Sequence, residues 1–410
     1  MAKAAVSVLI PTYNRAQFLP ECLDSVFGQT VPPAQVIVIN DGSTDNTRQV
    51  LEPYMGKIEY LEQENRGKSS ALNLAMSHVQ GDYVWIMDDD DVALPNALET
   101  HLRVLEGDPS AGYTYSARYM GRTRPQDGRV EKVELEPLAN SQDDEFFPRL
   151  LESFFSHQSA MLVRVSSYKE VGPFDTTLVR SQDYEMMLRL ARRFPGKGIA
   201  EPTVCIRRHP GMRGSAADRF EAGEAASKWR EYDQRLIARF RKMLELHEYL
   251  PRRFHGKGLG PADKRRAYLQ SMTVMAAKAM FPEMLQDLQS AITQTGPDLP
   301  LTPDERAIVR RSVGYMRPAD LSKLRCLGMM RALPKGRAVR DVKIELARGL
   351  SWRAEWAVRS HRYRELVTVL QTGYNVLGLG GIFLAVMAKL RESWAALRSG
   401  RKPIPGAPVH

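Results

Sequence analysis

Three short runs of β-branched and apolar residues, "AVSVLIPTYN", "PAQVIVINDGSTDNT" and "GDYVWIMDDDD", each end abruptly in a polar cluster. A continuous apolar run closed by turn residues reads as a strand buried on both faces, the habit of parallel sheets. Between the first two lies "RAQFLPECLDSVFGQT", with Phe18, Leu19, Cys22, Leu23, Val26 and Phe27 at helical spacing. "GKSSALNLAMSHV" supplies another helix before the third. Strand, helix, strand, helix, strand predicts an α/β fold with a doubly wound, mostly parallel sheet, whose ligands gather at the carboxyl ends of the strands. The clusters around Thr12, Asp41 and Asp88 to Asp91 are therefore expected along one edge.

Four adjacent carboxylates repel one another, so a folded chain keeps Asp88, Asp89, Asp90 and Asp91 at a strand end when something positive sits there; the alternative is a solvated acidic turn. Neither G-x-G-x-x-G nor G-x-x-x-x-G-K-[ST] occurs at a strand end, which argues against dinucleotide enzymes and P-loop NTPases. Hard oxygen ligands suit Mg²⁺ or Mn²⁺, whose shell phosphate oxygens and water complete.

The net charge of +10 suggests nucleic acid until it is divided by position. Residues 1–210 hold 22 Lys and Arg against 29 Asp and Glu, and residues 211–410 hold 36 against 19. The two halves differ electrostatically, and no nucleic-acid motif accompanies the basic one. Cys22, Cys205 and Cys326 follow no metal or disulfide spacing, and the N-terminus runs into a strand without a leader, so a reducing, cytoplasmic compartment is expected.

Taken in order, "VSVLIPTYNR", "VINDGSTDNT", "NRGKSSALN", "GDYVWIMDDDD", "GPFD" and "SQDYEMMLRL" resemble the family 2 glycosyltransferases, inverting enzymes of GT-A fold that use nucleotide-sugar donors. The resemblance covers about residues 4–215. It implies a GT-A domain over 1–215; from the residues themselves, 216–340 read as a helical domain, 341–402 as a basic amphipathic segment and the Pro/Gly-rich 403–410 as a disordered tail. It places Pro11, Thr12 and Tyr13 against the nucleotide base, Asp41 as acceptor of a hydrogen bond from that base, and Lys68 near the nucleotide. Asp88 to Asp91 stand where the family has D-x-D. Either Asp88 and Asp90 fill that pattern, or Asp89 takes the ribose while Asp90 takes the metal. In "SQDYEMMLRL" the family usually has Glu-Asp, so Asp183 is the implied base and Gln182 a neutral substitute; read alone, Asp183 would cap the helix that follows.

The resemblance further implies that His209 reaches the metal or diphosphate, with Arg207, Arg208 and Arg213 suited to phosphate. His157, Gln182 and Asp91 are placed at the donor or acceptor sugar, although a histidine beside a strand also serves structure. The expected activity is metal-dependent inverting transfer, UDP-sugar favoured, to a glycan or lipid-linked hydroxyl. A soluble or protein acceptor, or nucleotide binding without catalysis, is the alternative.

Trp352, Trp356, Tyr363, Leu366 and Leu370 recur at helical spacings among Arg348, Arg353, Arg362 and Arg364. From Leu366 to Ala388 no residue is charged. This reads as a helix that attaches to an anionic membrane at the inner face of the cell membrane, with a spanning helix or a buried core as the alternatives.

Overall fold

The computed structural model describes residues 5–138, 143–208, 225–315, 334–359, 361–371 and 374. Contacts divide the chain into two units, Met1–Leu150 with Phe154–Tyr232, and Leu151–Ser153 with Asp233–His410.

In the first unit, β1 (Val6–Thr12), wholly buried, pairs in parallel with β2 (Gln35–Asn40). α1 (Leu19–Phe27) joins them, starting with Pro20 in its first turn and burying Leu19, Cys22, Leu23 and Val26. The chain continues through α2 (Thr47–Leu51), β3 (Glu59–Glu62), α3 (Lys68–His78) and β4 (Tyr83–Ile86), with β3 parallel to β2 and β4 parallel to β1. The register sets Thr12 opposite Asn40 and Leu9 opposite Ile86, so the polar clusters that follow these strands emerge at one edge.

Beyond β4 the sheet becomes mixed. β5 (Val92–Ala93), α4 (Ala97–Gly107), β6 (Tyr113–Thr123), β7 (Val130–Glu136), α5 (Phe146–Glu152), β8 (Met161–Arg164), α6 (Val165–Val171), α7 (Gln182–Arg193) and β9 (Gly196–Arg208) complete it. Among the described residues the order is β3-β2-β1-β4-β8-β6-β9-β5, with β7 on β6. β8 runs antiparallel to β4 and β6, whereas β9 runs parallel to β6. Val8, Ile10, Leu23, Val38, Trp85 and Leu98 share one core, and the Trp85 indole is satisfied by Ser159 O at 2.8 Å. Asn73 on α3 exchanges two hydrogen bonds with the backbone of Phe174, which fixes "GPFD" to the helix that Lys68 begins.

The second unit is helical: α8 (Ala225–Met243) from Asp233 onward, α9 (Pro261–Ala277), α10 (Phe281–Thr295), α11 (Pro303–Gly314), α12 (Arg337–Arg359) and a helix over residues 363–371. Part of its basic surplus is internal. Arg265 and Glu305 pair while buried, Arg241 grips Asp287 with two hydrogen bonds of 2.6 and 2.7 Å, and Glu345 accepts from Arg310 and Arg348.

The expected continuous amphipathic helix from Trp352 to Leu370 is broken at His361, which adopts φ 55°. Tyr363 and Leu370 therefore lie on a different helix from Trp352 and Trp356, and Leu366 is half-buried. The side chains of Trp352 and Trp356, and the segments 320–333 and 375–410, fall outside the described residues. No described helix is long and apolar enough to cross a membrane.

Candidate active site

The four aspartates after β4 do not act as a block, because each is drawn to a different partner. Asp88 pairs with Lys68 Nζ at 2.5 Å, and its backbone N–H donates to Ser159 Oγ at 3.1 Å. Asp90 is held by Arg15, whose guanidinium also lies 3.9 Å from Asp89. Asp91 is buried, accepts from Ser159 Oγ at 2.7 Å and the Arg207 N–H at 3.1 Å, and faces His157 Nδ1 at 3.7 Å. The repulsion is met by two cations, one hydroxyl and one backbone amide.

These surroundings separate the carboxyls in proton affinity. Burial raises Asp88, but Lys68 and then His157 more than reverse it, leaving its pKa below the ordinary value. Burial, opposed by Arg15 and reinforced by Asp90, pushes Asp89 up to about 7. Burial and then the charges of Asp90 and Asp88 drive Asp91 well above the usual range. His157 is lowered by burial, partly offset by Asp88.

One ligand atom each from Asp88, Asp91 and His157 lies within 4.8 Å of the other two. Two carboxylates and an imidazole form a donor set suited to Mn²⁺, and to Mg²⁺ through the oxygens. His157 Nδ1 is buried without a hydrogen-bond partner among the described residues, a nitrogen left for a ligand. The residues fit a divalent cation. Asp90, expected as a metal ligand, lies with Arg15 rather than in this group, and His209 falls outside the described residues.

Across the edge, Asp41 accepts from Gln63 Nε2 at 2.6 Å and from the N–H groups of Arg66 and Gly67, each at 2.9 Å. The expected acceptor of the base thus also shapes the loop that starts α3 and aims Lys68. Gly42 beside it has φ +74°, and a Cβ there would meet Asn65 N at 2.7 Å, so no other residue fits without displacing that loop. Asn14 joins the loop after β1 to the one after β2, its Oδ1 accepting from the Thr44 N–H at 2.7 Å and its own N–H donating to Ser43 Oγ at 2.9 Å. Pro11 and Thr12 end β1 and Tyr13 follows them, ahead of both loops and the aspartates in chain order, and the buried Thr12 side chain helps to hold down the Asp89 pKa.

Asp183 stands in the first turn of α7, where its Oδ1 accepts from the Tyr184 N–H at 2.8 Å. Ser181 before it takes φ 57°, an uncommon conformation for a non-glycine residue and one that redirects the chain into the helix. The Asp183 carboxylate is close enough to raise the pKa of Lys68, alongside Asp88, and to act on His157. Lys68, Asp88, Asp183 and His157 therefore form one electrostatic group. Gln182 Oε1, beside the implied base, is buried without a partner among the described residues.

Arg207, expected at a diphosphate, is buried instead. Its guanidinium pairs with Glu21 and donates to Asp90 O at 2.9 Å, Thr123 Oγ1 at 3.2 Å and Gly128 O at 3.1 Å. It braces the acidic loop from behind. Arg208 is exposed and pairs with Glu134 and Glu136, and Arg213 lies outside the described residues. Arg15, Glu21 and Ser159 received no role from sequence; Arg15 closes the "PTYNR" run and Ser159 lies two residues from His157, whereas nothing marked Glu21.

Residues 7–172 match the family model described as glycosyl transferase family 2. An uncharacterized glycosyltransferase of Rickettsia typhi is 31% identical over 188 residues, covering 46% of this chain and 58% of the relative. A chondroitin synthase of Pasteurella multocida is 30% identical over 191 residues, 45% of this chain and 19% of that protein. The matched region is also only 32% of a similar glycosyltransferase from Rickettsia felis, so the chain spans a part of the curated relatives it matches. The crystal structure of S. aureus TarS 1–349 aligns at TM-score 0.46 with 18% identity, covering 90% of each chain.

Proposed function

We propose that the chain, whose residues 7–172 match the glycosyl transferase family 2 model, transfers a sugar, hexosyl or N-acetylhexosaminyl, from a nucleoside diphosphate donor to an acceptor hydroxyl with inversion. One observation carries the reading: ligand atoms of Asp88, Asp91 and His157 lie within 4.8 Å of one another beyond β4, beside the Lys68–Asp88 ion pair. The loops after β1 and β2 take the nucleoside, with Thr12 and Asp41 facing the base. Lys68 and Arg15 bring positive charge to the side where the diphosphate leaves. Asp183, accepting from its own helix and half-exposed, takes the acceptor's proton as its oxygen attacks from the opposite face. Gln182, neutral where the family places an acid, contributes a carbonyl oxygen toward the sugar.

Asp88, Asp91 and His157 would hold a Mn²⁺ or Mg²⁺ ion, which would neutralise charge on the departing diphosphate. Arg207 and Ser159 hold Asp91 and the loop in place for it. UDP is the favoured nucleotide, and a glycan or lipid-linked hydroxyl the favoured acceptor. A lipid-linked acceptor would place the enzyme peripherally at the inner face of the cell membrane. Nucleotide binding without transfer is the second reading, and Gln182 is the residue that favours it.

A thermal-shift series with UDP, GDP, TDP and their sugars, with and without Mn²⁺, tests the donor site, because a ligand that binds only the native state raises stability. Slow hydrolysis of the stabilising nucleotide-sugar then separates transferase from binder. No shift with any nucleotide would overturn the proposal.

A further inference from the structure

The helical unit presents an apolar face that its own core does not use. α12 ends in a Schellman turn: the His361 N–H donates to Val358 O at 3.1 Å and the Arg362 N–H to Ala357 O at 2.8 Å, with His361 at φ 55°. Helix resumes over residues 363–371. Its inner side buries Val369 and turns Glu365 to within 4.0 Å of Arg353. Its outer side carries Tyr363, Val367 and Leu370, exposed at 61%, 53% and 56%; Tyr374 beyond it is exposed at 53%, and Val358 at the end of α12 at 49%. Spacings of four and three residues set Tyr363, Val367 and Leu370 in one stripe. Rows of large apolar side chains left to water mark a partner.

The charge around the stripe says which kind. His361, Arg362 and Arg364 are exposed beside it, and residues 233–410 hold 32 Lys and Arg against 15 Asp and Glu. The chain then stays uncharged as far as Ala388. We propose that this stripe seats in the headgroup layer of an anionic bilayer, with Val367 and Leu370 in the acyl boundary and Arg362 and Arg364 at the lipid phosphates. Tyr363 and Tyr374 suit that depth, since each has an apolar ring and a hydroxyl that stays wet. A second copy is the poorer occupant. A stable self-interface buries about 800 Å² on each partner, more than four half-exposed side chains supply, and it would press two strongly basic units together. The inference concerns the helical unit alone and does not depend on the transferase reading.

Flotation of the full-length chain with phosphatidylcholine vesicles, with and without phosphatidylglycerol, tests it. The expected result is binding only to the anionic vesicles, weakened by salt, and reduced roughly tenfold or more in Val367→Glu/Leu370→Glu with unchanged circular dichroism. Should that variant misfold, Tyr363→Ser/Tyr374→Ser is to show the same loss. Absence of flotation by the wild type overturns the proposal. So does equal flotation of a folded variant, which would assign attachment to charge alone or to another segment. A dimer that the variant abolishes, without flotation, would give the stripe to a second copy.

Discussion

Lys68, the first residue of α3, and Asp88, two residues beyond β4, form an ion pair of 2.5 Å between the two halves of the candidate site. Burial lowers the Lys68 pKa, but Asp88 and then Asp183 more than restore it, so the ammonium stays charged between the two carboxylates. Replacing it should expose that dependence. In Lys68→Met, affinity for UDP should fall about tenfold to hundredfold, the ~1.5–3 kcal/mol of a hydrogen bond to a charged group. Titration calorimetry measures it, and unchanged affinity would remove Lys68 from the donor site.

Asp183→Asn should leave donor binding intact while transfer falls by roughly 10² or more, the scale of a lost general base. NMR coupling constants of the wild-type product should show inversion at the anomeric carbon. Wild-type turnover in the variant would exclude Asp183 as the base.

The cation is predicted to follow Asp88 and His157 rather than Asp90. Asp88→Asn and His157→Ala should each weaken Mn²⁺ binding at least about tenfold, since even an outer-shell partner is worth about 10–100-fold in metal affinity. Asp90→Asn, whose parent carboxylate lies on Arg15, should bind Mn²⁺ within a few-fold of the wild type. Electron paramagnetic resonance of free Mn²⁺ reads both, and the reverse ranking would move the ion to Asp90.

His101 on α4 is buried between Thr114 Oγ1 at 2.8 Å and Thr203 Oγ1 at 3.1 Å, and burial lowers its pKa to about 3. An unfolded histidine takes its proton near pH ~6.5. Between about 6.5 and about 3 the unfolded chain thus binds a proton that the folded chain refuses, so this group's contribution is present above that window and is lost as pH falls through it. The slope from this residue should approach about 1.4 kcal/mol per pH unit. Urea unfolding of wild type and His101→Gln across this range checks it; parallel slopes would show that His101 is not the group.

The strands and their polar ends were legible in the sequence because they are local facts. "VSVLIPT" and "QVIVIN" bury both faces, their β-branched residues favour extended backbone, and the residues after them cannot continue a strand. Parallel pairing then brings Thr12, Asp41 and Asp88 to Asp91 to one edge as a consequence of topology. Partner choice among the aspartates was decided only by tertiary structure. Ser159 lies 68 residues from the Asp91 it donates to, and Arg207 lies 116, so no spacing rule reaches them. Arg207 reads as one of several loop arginines until Glu21 draws it under the acidic loop, because a charge can be buried only where a counter-charge meets it. The basic aromatic helix likewise looks continuous from Trp352 to Leu370 in one dimension. A left-handed residue at His361 and two backbone hydrogen bonds divide it, and so determine which apolar side chains share a face.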